Sequence, residues 1–263
     1  MSAAGAQAAA DRRPELELSA GTLLIGDLHL DVELDGAARG FADWLGGLPD
    51  PPRLIVLGDL FEYWVGDAQA RTPGGRAVLE ALRARVGAGC AIDVIPGNRD
   101  FLLGPRFEQA TGARVRSQGL IGVLPGGSRA LIVHGDELCT LDVGYQRLRR
   151  VLRSRALTWL APRLPLAISQ GLARRLRRAS RTALETKPRA EAQQQPDAVR
   201  DLCAETRCGV LICGHAHEWR DEQLDGGPRW LVVDAFGAGR DLLQVGGQGE
   251  IRGSASRDLP PSP

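Results

Sequence analysis

The chain has 263 residues, of which 43% are hydrophobic and 25% charged, and its formal net charge is +1. This composition suits a soluble globular protein with one large α/β domain or two small ones, and we expect one main domain with an insertion. No apolar run is long enough for a membrane span, and residues 1–10 lack the order of a secretory signal, so we expect a cytosolic protein.

The cysteines and the charge distribution narrow the class further. Five cysteines, an odd number without the two-residue spacing of a thiolate zinc site, argue against a disulfide framework, and we expect them to be reduced and mostly buried. Between Tyr145 and Arg189 there are thirteen basic residues and one acidic residue, Glu185, so the rest of the chain is acidic. Such a split indicates that the two parts need separate explanations.

Both ends of the chain lack a sustained hydrophobic period. We expect disordered tails at 1–20 and 254–263 around one domain at 21–253. Helical patterns at Ala37–Leu45 and Gly75–Val86 alternate with short apolar runs, which predicts an α/β sheet, and Asp241–Val245 predicts an edge strand. The runs that predict buried strands are Thr22–Ile25, Leu54–Leu57, Ala91–Ile95, Ala130–Val133, Val210–Cys213 and Trp230–Val233.

The basic segment has a helical period instead. Apolar residues recur at helical spacing from Tyr145 to Ala183, which predicts two helices with Pro162 and Pro165 in the bend between them. The arginine-rich faces are consistent with a solvated surface, with nucleic-acid binding, or with contact to anionic lipid headgroups. Nucleic acid is the least favoured, because no aromatic residues interleave the arginines as a stacking platform requires.

Glycine-containing polar clusters follow five of the predicted strands directly, and they include every histidine of the chain. The clusters are Gly26-Asp27-Leu28-His29, Gly58-Asp59, Gly97-Asn98-Arg99-Asp100, His134-Gly135-Asp136 and Gly214-His215-Ala216-His217. Ligands of open α/β sheets bind outside the carboxyl ends of the strands, so the clusters can converge. A single Asp-x-His after a strand is more often an ordinary turn, but five such clusters in order predict a metal site.

Carboxylate, amide and imidazole ligands in this number suit two divalent cations. Neighbouring cations repel each other, and a shared carboxylate, most plausibly Asp59, offsets that repulsion. Nitrogen and oxygen ligands without a thiolate favour manganese, iron or zinc over calcium. Such a pair of cations activates a bound water and stabilises charge on a phosphoryl group, so we expect hydrolysis of a phosphate ester or anhydride.

The order Asp-x-His, Gly-Asp, Gly-Asn, His-Gly-Asp and Gly-His-x-His resembles the calcineurin-like metallophosphoesterase superfamily, across residues 25–217. The longer stretches 58–67, 97–104 and 134–140, followed by Asp142 and Gly144-Tyr145, resemble the UDP-2,3-diacylglucosamine diphosphatase family of lipid A biosynthesis. The resemblance implies two packed mixed β-sheets flanked by helices, with a helical cap inserted at about 145–190. It also implies two bound divalent ions, usually manganese.

The resemblance further implies a role for each site residue. One metal has the ligands Asp27, His29, Asp59 and His217, and the other has the ligands Asp59, Asn98, His134 and His215. The catalytic residues are Asn98, Arg99, His134 and His215. The substrate contacts are Asn98, Arg99, Asp142, Tyr145, Ser180, Lys187 and His215.

Arg99 bears on the type of bond that is cleaved. Many members of the superfamily have a histidine there that protonates an alkoxide leaving group, whereas a guanidinium does not give up a proton. A phosphomonoester has a second pKa of about 6 and leaves without being protonated, so an anhydride substrate suits Arg99. The alternative is an arginine that caps the turn or pairs with Asp100.

The implied reaction is hydrolysis of the lipid-linked nucleotide UDP-2,3-diacylglucosamine to UMP and 2,3-diacylglucosamine 1-phosphate. It implies a cytoplasmic enzyme, which we expect to be a monomer, with the basic cap against the anionic inner membrane. Leu184, Gln193–Gln195 and Asp234–Gly237 depart from the family pattern. Two alternatives therefore stay open: the same mechanism on another nucleotide diphosphate conjugate or phosphodiester, and a catalytically silent scaffold, which predicts missing ligands.

Overall fold

The computed structural model describes residues 13–165, 167–168, 170–172, 175 and 193–259. Its strands are β1 (Glu15–Glu17), β2 (Leu23–Ile25), β3 (Arg53–Val56), β4 (Ala91–Val94), β5 (Arg114–Val115), β6 (Leu120–Val123), β7 (Arg129–Ile132), β8 (Val210–Cys213), β9 (Arg220–Gln223), β10 (Arg229–Val232), β11 (Leu242–Val245) and β12 (Ile251–Ser254). The helices with defined ends are α1 (Asp35–Gly46), α2 (Pro73–Gly87), α3 (Pro105–Thr111), α4 (Val143–Leu152), α5 (Arg155–Leu160) and α6 (Pro196–Thr206).

The strands form two mixed sheets. The first sheet has the order β1-β6-β7-β8-β10-β9, and the second has the order β12-β11-β2-β3-β4-β5. In the second sheet β2 to β5 run parallel, β11 pairs antiparallel with β2, and β12 pairs antiparallel with β11. In the first sheet β7, β8 and β10 run parallel beside the antiparallel strands β6 and β9.

Alternate residues of the strands point into different layers of the core, as the pleat of a strand requires. Leu24 and Ile55 lie in the apolar core between the two sheets. Their neighbours Leu23 and Leu54 lie in a second core on the opposite face, together with buried residues of α1 and α2. The outer face of the first sheet forms a third core with Val199 of α6. The fold of two packed mixed sheets flanked by helices is thereby confirmed.

The aromatic residues Tyr63 and Trp64 belong to the apolar core beside α1 and α2. Both side chains are buried, and the Trp64 ring packs 4.7 Å from the Phe61 ring and 6.3 Å from the Phe107 ring, measured between centroids. All five cysteines are buried, as expected. Within the described residues, no helix has the length and apolar character needed to cross a bilayer.

The expected tails and one strand position need correction. Glu15–Glu17 form β1, which pairs with β6, and Leu18 is buried in the core between the sheets, so residues 15–18 belong to the fold and not to a tail. At the other end Ser254 belongs to β12 and Ser256 is buried. The run expected at a sheet edge, β11, instead lies between β12 and β2. These short segments carry too few apolar residues to be distinguished from loops by periodicity.

Asp241 fastens the C-terminal segment to the second sheet. Its fully buried carboxylate accepts hydrogen bonds of 2.6 Å from the backbone nitrogen and hydroxyl of Ser256 and from the backbone nitrogen of Gly237. We expect Asp241→Ala to lower the free energy of unfolding by about 3 kcal/mol, because buried donors lose their acceptor. Urea denaturation measures this loss. Asp258→Ala, an exposed carboxylate in the same segment, is the control and should change the free energy by less than about 0.5 kcal/mol.

Candidate metal centre

The candidate ligands lie where parallel strands of the two sheets end. Asp27, Asp59 and Asn98 follow β2, β3 and β4, which are neighbours in the second sheet. His134 and His215 follow β7 and β8, which are neighbours in the first sheet. The sheets pack face to face, and the same ends of both carry the clusters. The topology therefore brings together groups that are up to 190 positions apart in the 263-residue chain, such as Asp27 and His217.

The backbone at this end of the sheets is unusual. Asp27, His29, Asp59, His215 and His217 all have φ between 48° and 69°, in the left-handed region that side chains with a Cβ rarely adopt. Outside glycine, the remaining described residue with a positive φ is Arg207, at the end of a helix. Left-handed geometry costs roughly 1–2 kcal/mol per residue, so a clustering of five such residues indicates a functional site.

The first group of ligand atoms comprises Asp27, His29 and His217. The Nε2 atoms of the two histidines lie 3.0 Å apart, and Asp27 Oδ1 lies 3.4 Å from His217 Nε2. Asp27 Oδ1 and His29 Nδ1 are buried and make no hydrogen bond with the described residues. Two ligand atoms bound at right angles to one cation at about 2.1 Å are about 3 Å apart, so this group fits a metal ion.

The second group surrounds the Nε2 atom of His134. Asn98 Oδ1 lies 3.1 Å from this nitrogen, His215 Nδ1 lies 3.2 Å away and Asp59 Oδ1 lies 3.8 Å away. The other ring nitrogen of His134 donates a hydrogen bond of 2.8 Å to the carbonyl oxygen of Leu57. This bond fixes the tautomer in which Nε2 has an available lone pair, the usual arrangement for a metal-binding histidine.

Two carboxylates lie between the groups. Asp59 Oδ2 is 4.0 Å from His29 Nδ1, while its other oxygen faces His134. Asp27 belongs to the first group and also lies with Asp59 and His134 in a cluster whose ligand atoms are all within 4.8 Å of one another. Asp59, which the sequence singles out as the shared ligand, is therefore in a suitable position, and Asp27 is a second carboxylate near both groups.

Burial keeps the imidazoles of His29 and His215 neutral. It lowers the pKa of His29 to about 3 and that of His215 to about 4, so both rings are neutral, the form that binds metal. Burial also raises the pKa of Asp59 to about 7. Burial opposes protonation of His134, but the carboxylates of Asp59 and Asp27 outweigh it and raise the pKa of His134 to about 9. A bound cation would neutralise the carboxylates of Asp59 and Asp27 in place of the proton on His134.

Arg99 is held beside the metal ligands by two carboxylates. Its Nε lies 3.4 Å from Asp59 Oδ2, and its Nη1 lies 2.9 Å from Glu62 Oε2. Glu62 Oε2 is also 3.6 Å from His29 Nδ1. Asp100 does not pair with Arg99 but accepts hydrogen bonds from the backbone nitrogens of residues 60, 61 and 97. The alternative of an Arg99–Asp100 pair is therefore wrong.

Residues 22–219 of the chain match a protein family described as "Calcineurin-like phosphoesterase". The chain belongs to this family. Families of this type use divalent metals, and the ligand groups described above fit such ions. The chain is therefore a metal-dependent hydrolase.

Similar proteins extend the match beyond the family domain. The UDP-2,3-diacylglucosamine hydrolase of Pseudomonas entomophila is 40% identical, over 86% of this chain and 95% of its own. The protein of the same name from Aeromonas hydrophila is 37% identical, over 84% of this chain and 93% of its own. Among solved structures, Vps29 from Entamoeba histolytica is 14% identical with a TM-score of 0.43, over 88% of this chain and 97% of its own.

Sequence reasoning missed two residues of this phosphoesterase that support the ligands. Glu62 lies three positions after Asp59 in a stretch that was singled out, but it was assigned no role. Gln194, which departs from the family pattern, is buried, and its Nε2 donates to the carbonyl oxygens of Gly214 at 2.9 Å and Gly135 at 3.3 Å. Gln194 links the two loops that carry His134 and His215, so this departure from the family pattern affects the loops that position two candidate ligands.

The predicted substrate contacts are found in part near the centre. Asp142 Oδ1 accepts a hydrogen bond of 2.9 Å from the backbone nitrogen of Tyr145 and caps α4, and the Tyr145 hydroxyl donates to Asp136 Oδ2 at 2.7 Å. Both residues thus have structural partners in the absence of a substrate. Ser180 and Lys187, and with them Leu184, lie outside the described residues. So does most of the second predicted helix of the basic segment.

The backbone of Gly97 lies so close to Asp59, a candidate metal ligand, that a side chain at position 97 would clash with it. A Cβ added there would lie 2.6 Å from the backbone nitrogen of Asp59 and closer still to its Oδ1. We expect Gly97→Ala to reduce activity by about a hundredfold, because a displacement of about 1 Å in a catalytic group has that effect. Gly40→Ala, at a position in α1 where an added Cβ meets nothing within 4 Å, is the control. Equal turnover numbers for the two variants would contradict this prediction.

Proposed function

We propose that this phosphoesterase hydrolyses UDP-2,3-diacylglucosamine to UMP and 2,3-diacylglucosamine 1-phosphate, as a step of lipid A biosynthesis. The observation that carries the proposal is the convergence of seven nitrogen and oxygen ligands beside Arg99. The substrate follows from relatives that are named UDP-2,3-diacylglucosamine hydrolase and match this chain at 36–40% identity over most of its length. The catalytically silent scaffold predicts missing ligands, and the presence of all seven candidate residue types in the sequence supports an active enzyme instead.

In this proposal each side chain has a defined task. Asp27, His29, Asp59 and His217 hold one divalent cation, and Asp59, Asn98, His134 and His215 hold the other, with manganese as the proposed metal. When bound, the ions supply an activated water and neutralise charge on the phosphoryl group. Leu57 keeps His134 in the metal-binding tautomer through its carbonyl oxygen. Asn98, with its amide at the same centre, positions the phosphoryl group.

Arg99 acts on the leaving side of the reaction. Its positively charged guanidinium stabilises the negative charge of a diphosphate, as its position beside Asp59 allows. The leaving group is a phosphate monoester with a pKa of about 6, so no proton donor is required. Glu62 holds the guanidinium in place through the 2.9 Å ion pair. These features favour cleavage of an anhydride over cleavage of an alkyl ester.

The surface of α4 and α5 supports a lipid-linked substrate. Val151 and Trp159 are each 62% exposed, and Leu148 and Leu160 are also exposed, on a segment rich in arginine. We propose that this surface contacts acyl chains and, through its arginines, the anionic cytoplasmic face of the inner membrane. Sedimentation with phosphatidylglycerol vesicles, but not with phosphatidylcholine vesicles, is the expected result. Absence of binding to both would contradict the membrane contact.

A substrate panel tests the proposal. The purified protein with Mn²⁺ is incubated separately with UDP-2,3-diacylglucosamine, UDP-N-acetylglucosamine, ADP-ribose and a nitrophenyl phosphodiester, beside Asn98→Ala as the metal-ligand control. Release of UMP from the acylated compound alone, and its loss in the control, is the expected outcome. Turnover of the soluble compounds alone would favour another nucleotide conjugate or a phosphodiester as the substrate. No turnover with any metal would favour the scaffold.

A further inference from the structure

The helix α4 is bonded directly to the loop behind His134. Asp136, two positions after His134, is fully buried, and its Oδ2 atom accepts three hydrogen bonds from this helix and its C-terminal end. The donors are the Tyr145 hydroxyl at 2.7 Å, Arg149 Nε at 2.7 Å and Arg153 Nη2 at 3.4 Å. Two of the arginines in the basic segment thus point inward, toward a buried carboxylate.

Arg153 reaches further than Arg149. Its Nη2 atom also donates to the carbonyl oxygen of Gly97 at 3.2 Å and to that of Pro96 at 3.5 Å, immediately before Asn98. Arg149 pairs with Asp136 and with Glu137, at 2.7 Å and 3.8 Å, and both of these belong to the loop after His134. The two arginines are equally buried, at 22% and 21% side-chain exposure. They therefore form a matched pair in which Arg153 contacts the Asn98 loop, whereas Arg149 also pairs with Glu137.

We propose that Arg153 is a positioning residue that couples α4 to the metal held by Asn98 and His134. One guanidinium fixes the distance between the loop that carries the amide ligand and the loop that carries the imidazole ligand. Because coupling between two sites is reciprocal, metal binding stabilises α4 and a well-ordered α4 strengthens metal binding. The inference rests on the two-metal site of the proposed function. It gives the apolar and basic surface of α4 a direct link to the catalytic end of the sheets.

Metal titration of two matched variants tests the coupling. Arg153→Gln and Arg149→Gln each remove one guanidinium from Asp136, but the first also removes the contact with Gly97. Changing a residue that orients a metal ligand typically weakens binding by about 10–100-fold, and we expect this for one of the two Mn²⁺ ions in Arg153→Gln. Arg149→Gln should change Mn²⁺ affinity by less than about threefold. Electron paramagnetic resonance measures free Mn²⁺, so it gives the dissociation constants of the two bound ions in each variant without an activity assay.

Hydrogen exchange provides the second readout. Mn²⁺ should slow amide exchange in α4 of the wild type and of Arg149→Gln, but not of Arg153→Gln. Arg153→Lys keeps the positive charge near Asp136 and lacks the planar fork, so it should behave as Arg153→Gln does even if that variant folds poorly. Two results would overturn the coupling but not the proposed function. One is wild-type Mn²⁺ affinity at both sites in Arg153→Gln and Arg153→Lys. The other is an amide exchange rate in α4 of the wild type that does not change when Mn²⁺ is added. A wild-type protein that binds no Mn²⁺ would overturn the proposed function as well.

Discussion

Asp59→Asn is expected to reduce kcat by roughly a thousandfold or more at saturating Mn²⁺. The substitution keeps the shape of the side chain but removes the charge of a fully buried carboxylate that faces both ligand groups. Loss of correctly held metal charge removes several kcal/mol of transition-state stabilisation, and about 4 kcal/mol corresponds to a thousandfold in rate. Steady-state kinetics on UDP-2,3-diacylglucosamine and metal analysis of the same samples measure the effect.

Asp93→Asn is the matched control for this variant. Asp93 is another buried carboxylate of the second sheet, but it pairs with Arg53 and with Arg116, whose Nε lies 2.6 Å from Asp93 Oδ1. This variant should be less stable while its folded fraction keeps wild-type turnover and metal content. If Asp59→Asn retained more than about a tenth of wild-type activity, Asp59 would not be a ligand to either ion.

Removal of metal is expected to abolish turnover and to lower the melting temperature by about 5 to 10 °C. A ligand at a hundred times its dissociation constant stabilises the native state by about 2.7 kcal/mol, and a chain of this size shifts by roughly 2–4 °C per kcal/mol. The chemical reason is the buried Oδ1 of Asp27, which makes no hydrogen bond with the described residues, and the imidazoles of His29 and His217, whose Nε2 atoms lie 3.0 Å apart. Scanning fluorimetry with a chelator, then with added Mn²⁺, follows the shift.

Two comparisons make the melting experiment specific. Asp59→Asn should show a smaller stabilisation by Mn²⁺ than the wild type, because one shared ligand has lost its charge. Ca²⁺, which prefers a shell made of oxygen atoms, should stabilise the wild type less than Mn²⁺ does. An unchanged melting temperature with Mn²⁺, Zn²⁺ and Fe²⁺ would mean that the convergent side chains do not bind metal.

The candidate metal ligands could be predicted from the sequence because each of them belongs to a short polar cluster that follows a strand. Parallel strands end at one edge, so the position of Asp27, Asp59 and Asn98 after their strands predicts that they lie at the same edge of the sheet. The sequence did not determine which strands are neighbours, and β11 was placed at an edge although it pairs on both sides. Pairing of short strands depends on contacts between distant segments, which periodicity does not report.

The supporting residues could not be assigned from the sequence for a related reason. Glu62, Gln194 and Arg153 each act by touching a loop from another part of the chain, and no local pattern distinguishes them from surface residues. The arginines of α4 illustrate the point, because a basic helical face suggests solvent or lipid, whereas Arg149 and Arg153 pair with the buried Asp136. The resemblance supplied ligand roles but gave no role to these three.

The left-handed backbone at five candidate ligands has a consequence for engineering this protein. Selection for heat resistance alone would accumulate glycine at positions 27, 29, 59, 215 and 217, since glycine adopts the left-handed backbone there without strain. Each such gain in thermal stability would remove an atom that can bind metal. Heat-resistant sequences that have lost these ligand atoms would show that thermal stability and catalytic turnover cannot both be increased at these positions.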